Sequence, residues 1–382
     1  MPYVVTRLFP APTQVSIYDI LRDVGDTEVR SRHVTNGATM TRFVERISPE
    51  FADKFDIRGL VAKLTEFNTR HEKLFEVERK SLYREFSIPK RSGGLRKIDA
   101  PNDELKEALR ELKAMLENDF GALYHTAAYA YVPGRCTVDA VKRHQANNSK
   151  WMLKTDFSNF FGSTTLEFTM KMLSMIFPFS EVASLESGRA QLEKALSLGF
   201  LDGGLPQGTP LSPTLTNIVM IPIDHALAKH FSEKHMVYTR YADDIDVSCQ
   251  VGFRFMDEVN FINDTVRNFG APFVIKPQKT HYGSTAGRNW VLGVMLNKDN
   301  QITIGHAKKK QFKAMIYNYL TDYKKGIRWE LNDVQTLQGI MSYYLMIERQ
   351  YITHIIIETN KKLGVNLGQV LKADLGGRNG AM

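Results

Sequence analysis

The order of apolar and polar positions divides the chain into stretches of different period. From Asp56 to Phe75, Ile57, Leu60, Val61, Leu64, Phe67, Leu74 and Phe75 recur at helical spacing, which predicts a helix with one packing face. Residues 1–75 are read as an N-terminal helical extension without an interpretable motif. Ser81 to Pro101 then changes period: Tyr83, Phe86 and Ile88 lead into Gly93-Gly94, and Leu95 and Ile98 lead out, the pattern of strand, turn and strand. A helix is predicted over about 102–119, with Leu105, Leu109, Leu112 and Leu116 on one face. Tyr129 to His144 reads as a short strand, a Pro-Gly turn and a helix beginning near Thr137, and taken alone it is an ordinary connection.

Three later stretches carry more information. Met152, Leu153 and Thr155 predict a buried strand that delivers Asp156 at its end, followed by Phe160-Phe161 and a capping box at Thr164-Thr165-Leu166-Glu167. Gly203 to Asn217 is a Gly- and Pro-rich loop entering a helix, with Ser212 as N-cap and Pro213 at the first helical position; Pro222 should kink that helix. Met236, Val237 and Tyr238 precede, and Ile245, Val247 and Cys249 follow, the run Tyr241-Ala242-Asp243-Asp244, predicting two strands joined by a tight turn with both acids at its tip. Beyond it, Pro272 to Lys279 and Trp290 to Val294 read as short strands, Asn297 to Asn300 as a turn, and His306 onward as helical, with residues 376–382 a disordered tail.

Composition narrows the function classes. Lys and Arg outnumber Asp and Glu by 50 to 42, for a formal charge of +8, which favours an anionic partner such as nucleic acid. The two cysteines, Cys136 and Cys249, have no paired spacing, so neither a disulfide framework nor a zinc site is indicated. No basic-then-apolar leader and no apolar run of membrane length is present, so a cytoplasmic protein is expected.

Charge is also clustered. Between Arg79 and Asp99 seven basic residues face two acids; such a hairpin either wraps polyphosphate or is simply solvated, with lysines guarding an edge. Lys308, Lys309, Lys310, Lys313, Lys324, Lys325 and Arg328 open the C-terminal helices, interleaved with Tyr317, Tyr319 and Tyr323, as expected of a surface lying along a nucleic-acid backbone. Asp243 and Asp244 alone would pass for a solvated turn, and Asp156 for a cap. A strand and a hairpin of one antiparallel sheet can, however, bring all three together. Converging carboxylates could hold two Mg²⁺ ions roughly 3.5–4 Å apart for phosphoryl transfer. Asp246 shares a face with Asp244 by alternation and is expected to be solvated.

Asp156 with Phe161 five residues on, then Leu205-Pro206-Gln207-Gly208, then Tyr241-Ala242-Asp243-Asp244, resemble in that order the A, B and C motifs of reverse transcriptases. The basic segment around Lys90 and Arg96 resembles the fingers motif, Pro277-Gln278-Lys279-Thr280 the lysine-bearing motif, and Val291-Leu292-Gly293 the primer grip; the resemblance spans about residues 80–345. It implies an α+β right-hand polymerase with fingers over 76–150, a palm built on an antiparallel sheet over 151–300 (170–205 partly returning to the fingers), and a helical thumb and tail over 301–382. Carried over by position, Asp156, Asp243 and Asp244 become the ligands of two Mg²⁺ ions, with Mn²⁺ a substitute, and Lys279 the proton donor to pyrophosphate. Lys90, Arg96, Gln207 and Gly208 become the nucleotide site, Phe161 the gate against a ribose 2′-OH, and Lys308, Lys309, Lys310 and Lys313 the nucleic-acid contacts. The partners implied are dNTPs, a structured non-coding RNA as template alone or as template and primer, and the cDNA product, with no membrane.

Two departures separate the chain from the retron pattern: Ala140-Val141 stands where Asn-Ala precedes the histidine, and Leu292 where threonine stands in Val-Thr-Gly. The expectation is therefore a stand-alone enzyme of phage defence making cDNA from a dedicated RNA. The alternatives are template-independent or protein-primed synthesis, a retron-type enzyme, and an RNA-binding scaffold without activity, the last opposed by the intact acids.

Overall fold

A computed structural model describes residues 3–4, 56–89, 93–284 and 289–376. Lys90 lies outside the described residues, as do most of the N-terminal extension and residues 377–382. Helix α1 (Ile57–Arg70) buries Leu60, Leu64 and Phe67, as its period requires, and Asp56 caps it by accepting from Gly59 N–H. The basic hairpin is β1 (Tyr83–Pro89) and β2 (Leu95–Pro101), antiparallel with Phe86 opposite Ile98 and Ile88 opposite Arg96. Helix α2 (Asp103–Asn118) follows, with Asn102 accepting from Leu105 N–H and Leu105, Leu109, Leu112 and Leu116 buried. An irregular segment leads to α3 (Thr137–Ala146).

The five-stranded sheet at the centre places β3 (Trp151–Ser158) between β5 (Asp244–Cys249), which pairs on its other side with β4 (Val237–Tyr241), and β6 (Val274–Ile275); β7 (His281–Ser284) also pairs with β3. One face, carrying Leu153, Phe157, Tyr238, Ile245 and Val247, is sealed by α6 (Ser212–Val219) and α7 (Ile221–Glu233), with α4 (Leu166–Leu173) and α5 (Glu186–Ser197) beyond. Leu60, Leu64 and Phe67 join the same apolar core. The break between α6 and α7 falls at Met220, two residues before Pro222, because proline cannot donate the next helical hydrogen bond. Ser212 is the first helical residue instead of the cap: its N–H is satisfied by Thr209 Oγ1 at 3.2 Å.

The other face of the sheet is polar. Strand register aligns Asp156, Asp244 and Tyr241 in one row, and Lys154, Asp246 and Thr239 in the next. Over its lower end sits α3, whose buried His144 bonds Ser248 Oγ at 2.6 Å and Thr239 Oγ1 at 2.9 Å. Trp290 to Val294 is two strands instead of one. Strands β8 (Asn289–Val291) and β9 (Val294–Leu296) are joined by Leu292 and Gly293, at φ 50° and 81°, and β10 (Ile302–Thr303) completes the sheet. A turn of two left-handed residues matches strand twist, which the apolar pattern alone did not reveal. Val291 and Val294 pack on Val141 and Met152. Helices α9 (His306–Lys324), α10 (Leu331–Leu363) and α11 (Leu367–Gly376) surround a separate core of Phe312, Ile316, Tyr319, Leu337, Ile355 and Val370. Among the described residues no helix is long and apolar enough to cross a membrane.

Candidate active site

The hairpin tip is set by local geometry. Tyr241 pairs with Asp244, leaving Ala242 and Asp243 as a two-residue loop, and Ala242 takes φ 57°, a conformation that costs an alanine about 1 kcal/mol. Strand β3 passes alongside with Asp156 opposite Asp244. The Phe157 N–H donates to Asp243 O at 3.1 Å and the Lys276 N–H to Asp156 O at 3.0 Å. Three chain segments that are distant in sequence thus meet at one point through backbone bonds.

The charges at that point are in conflict. Asp156 is 1% exposed; Lys279 Nζ bonds its Oδ2, Lys276 Nζ lies 3.7 Å from the same oxygen, and its Oδ1 is buried with no partner among the described residues. Desolvation raises the Asp243 carboxyl, with Asp156 adding to it. Asp244 reaches open solvent on one side, yet desolvation on its enclosed side, then Asp243 and Asp156, push it up to about 6. Asp156, by contact, holds the Lys279 ammonium above its usual range. Among the described residues no group of three or more His, Cys, Asp or Glu is gathered into a cage for a metal ion. Magnesium does not need one, since it keeps waters and takes one or two carboxylates plus substrate phosphates. The unpartnered Asp156 Oδ1 and two carboxyls strained by like charge suit a hard cation, with Lys279 now supplying the positive charge.

Behind the tip lies a buried network that the sequence reading did not single out. Arg240, fully buried, donates to Asp224 through Nε (2.8 Å to Oδ1) and Nη2 (2.7 Å to Oδ2), to Asn217 Oδ1 at 3.2 Å, and through Nη1 to the carbonyl of Ala242 at 3.1 Å. Tyr238 O–H adds a bond to Asp224 at 2.8 Å. The only trace of it in the sequence is a charged residue within an otherwise uncharged strand, which does not tell a buried arginine from an exposed one. One row down, Asp246 is buried and not solvated; burial pushes its carboxyl up to about 7, opposed by Lys154 across the strand pair.

Phe161, the loop Leu205 to Gly208 and the hairpin strand that carries Arg96 are tied to one another by backbone bonds. Asn159, at φ 48°, turns the chain into the short helix Phe160–Ser163. Phe160 is buried on Phe157 and Phe273, which leaves Phe161 edge-on to it at 5.6 Å, half-buried at the surface of the site. The Leu205 N–H donates to Phe161 O at 3.0 Å, and a Cβ on Gly204 would sit 2.0 Å from Gly162 O, so only glycine permits this approach. Gln207 O accepts from Asp99 N–H at 2.8 Å. Gly208, at φ 117°, leaves room for Ile98, whose Cγ2 a Cβ would meet at 2.8 Å. The glycine therefore serves loop-to-hairpin packing. Arg96 shares the Ile98 face of β2 and, among the described residues, has no ion-pair partner, whereas Lys97 on the opposite face pairs with Glu85 and Asp99.

The Val291-Leu292-Gly293 turn sits over the polar face, with Lys308 Nζ bonding Gly293 O at 2.9 Å. The basic opening of α9 is less free than its composition suggests. Lys309 bonds Glu348, and Lys313 pairs with Glu358 at 3.1 Å; Lys310 is exposed. Tyr319 is core, its hydroxyl on Asp374 at 2.8 Å, and so does not belong to the surface with Tyr317 and Tyr323.

Comparison with known proteins agrees with this geometry. The family model described as reverse transcriptase (RNA-dependent DNA polymerase) matches residues 88–319. The Ec83 retron reverse transcriptase of Escherichia coli is 27% identical over 279 residues, covering 72% of this chain and 85% of that protein. The Mx162 retron reverse transcriptase of Myxococcus xanthus is 33% identical over 305 residues, covering 72% of this chain and 59% of that protein. A solved telomerase from Candida albicans aligns at 12% identity and a TM-score of 0.44 over 76% of this chain and 58% of that one. The three acids at the meeting of strand and hairpin, on a right-hand α+β framework, thus belong to a member of the reverse transcriptase family, an RNA-directed DNA polymerase.

Proposed function

We propose that the protein copies a dedicated, structured non-coding RNA into cDNA in the cytoplasm, as part of defence against phage. The observation that carries the polymerase chemistry is the convergence of Asp156, Asp243 and Asp244 beside Lys279, with a basic hairpin whose Arg96 has no ion-pair partner among the described residues. In this reading residues 76–150 act as fingers, 151–300 as palm and 301–382 as thumb. Asp156, Asp243 and Asp244 would hold two Mg²⁺ ions, or Mn²⁺ in their place. When bound, the ions supply charge stabilisation for the attacking 3′-oxygen and the leaving pyrophosphate.

The remaining roles fall to the chain itself. Arg96 and Lys90 bind the triphosphate, Gln207 and Gly208 line the nucleotide and template, and Phe161 excludes a 2′-OH. Val291, Leu292 and Gly293 hold the primer end. Lys279, charged and at the site, donates a proton to the departing pyrophosphate. Lys308, Lys309, Lys310 and Lys313 lie where nucleic acid would leave the palm. The retron names of the matched relatives favour a second reading, in which the RNA is a retron transcript that serves as both template and primer. Sequencing the RNA and DNA that copurify with the protein decides among these. A single abundant RNA with complementary cDNA is expected; cDNA covalently joined to that RNA selects the retron reading. DNA matching no copurifying RNA would refute templated synthesis.

A further inference from the structure

Tyr131 stands in the loop between α2 and α3 in a conformation that its side chain opposes. Its φ is 58°, a left-handed value at which a bulky residue is an outlier held in place by its surroundings. The residue is 55% exposed, so burial of its ring does not offset the cost of that backbone conformation.

The surroundings that hold it are those of the catalytic turn. Ala127 O accepts from Arg240 N–H at 2.7 Å and Tyr129 N–H donates to Arg240 O at 2.9 Å. Asn217 Nδ2 donates to Ala130 O at 2.8 Å while its Oδ1 takes the Arg240 guanidinium. The residues before Tyr131 are thus tied to the same Arg240 and Asn217 that hold Ala242 O. The loop and the turn are built as one unit.

The ring of Tyr131 meets Phe161 edge-on, at 6.3 Å between centroids and 68° between planes. Phe160 holds Phe161 from another side in the same fashion, at 5.6 Å and 70°. Tyr131 therefore lies against Phe161 on a loop that is tied to the catalytic turn. A phenylalanine at the surface of a site can swing about χ1 to admit an extra hydroxyl unless its neighbours prevent it. Phe160 meets Phe161 from one side and Tyr131 from another, so the two rings together bracket it.

We propose that Tyr131 is a specificity-determining residue that fixes Phe161 in its excluding rotamer, so that discrimination against ribonucleotides is a property of the pair. The inference rests on the reading of Phe161 as the gate, and the test separates the two. The ratio of kcat/KM for dNTP over rNTP is measured with purified enzyme for Phe161→Ala, Tyr131→Ala, Tyr131→Gly, Tyr131→Phe and the Tyr131→Ala/Phe161→Ala double variant, together with Tm. An edge-on aromatic pair is worth about threefold to tenfold in such a ratio. Tyr131→Ala and Tyr131→Gly are expected to lower the ratio by that factor, Tyr131→Phe to keep it, and the double variant to fall no further than Phe161→Ala. Tyr131→Gly should hold or raise Tm, because glycine takes this φ without strain, so lost specificity would not track lost stability. If Phe161→Ala lowers the ratio and the Tyr131 variants leave it unchanged, the role of Tyr131 is refuted and the gate stands. If Phe161→Ala itself leaves the ratio unchanged, the gate reading fails and this inference with it.

Discussion

Arg240 and Asp243 are three residues apart and should answer substitution in opposite ways. Arg240 is fully buried with all of its bonds inside the protein, so Arg240→Met strands the Asp224 carboxylate in an apolar interior. A loss of about 3–5 kcal/mol in urea unfolding is expected. Asp243 sits at the tip, its carboxyl raised by desolvation and by Asp156. Asp243→Asn removes a repelling charge, so Tm at pH 8 should hold or rise while nucleotide incorporation is lost and RNA binding persists. Incorporation retained in Mg²⁺ would contradict the assignment of Asp243 as a metal ligand. The meeting of Asp156 with the turn could be read from strand alternation and motif order. Arg240 could not, because a lone arginine in a strand reads alike whether it faces solvent or a carboxylate sixteen residues earlier, and only the pairing of α7 with β4 decides.

Among the elements, α3 and the sheet face beneath it form a coupled pair through His144. Both ring nitrogens are engaged, by Ser248 and Thr239, and burial, with Arg143 and Lys154 nearby, lowers its pKa to about 3. An unfolded histidine titrates near 6.5, so below that pH the unfolded chain takes up a proton that the folded one refuses. Stability from this group is therefore complete above about pH 6.5 and is lost as pH falls toward 3, by at most about 1.4 kcal/mol per pH unit. Urea midpoints measured from pH 7 to 5 should fall for the native chain and fall less steeply for His144→Gln; equal slopes would show that His144 ionises freely. Most helices and the two long hairpins were legible, since their periods are long and their turns carry Gly or paired acids. Of the short strands, β6 fell inside the expected run 272–279 and β8 with β9 overlapped one expected strand, while β7 and β10 were not legible. So short a run shows no period, and Leu292 at positive φ gives no compositional sign of a turn.

At the scale of the whole molecule, net charge and usable charge differ. The formal +8 is spread over a chain that satisfies much of it internally, and α9 shows how. Glu348, where α10 departs from helical geometry at φ −137°, accepts from Thr303 Oγ1 at 2.7 Å and Ile304 N–H at 3.0 Å and also bonds Lys309. That carboxylate fastens β10, and through Lys309 also α9, to the kink in α10, whereas Lys313 and Glu358 are both about half exposed and form a weak pair that solvent can break. Lys310 projects outward. Each lysine that neutralises a phosphate releases counter-ions, so the logarithm of RNA affinity should fall linearly with the logarithm of salt, and each lost contact should reduce that slope by about 0.7–0.9. Lys310→Ala is expected to reduce it by about one contact with Tm unchanged. Lys309→Ala should lower Tm, by opening the joint at Glu348, and leave the slope nearly intact. A slope that drops equally for both would mean that Lys309 leaves Glu348 when nucleic acid binds, and that the joint between α9 and α10 opens with it.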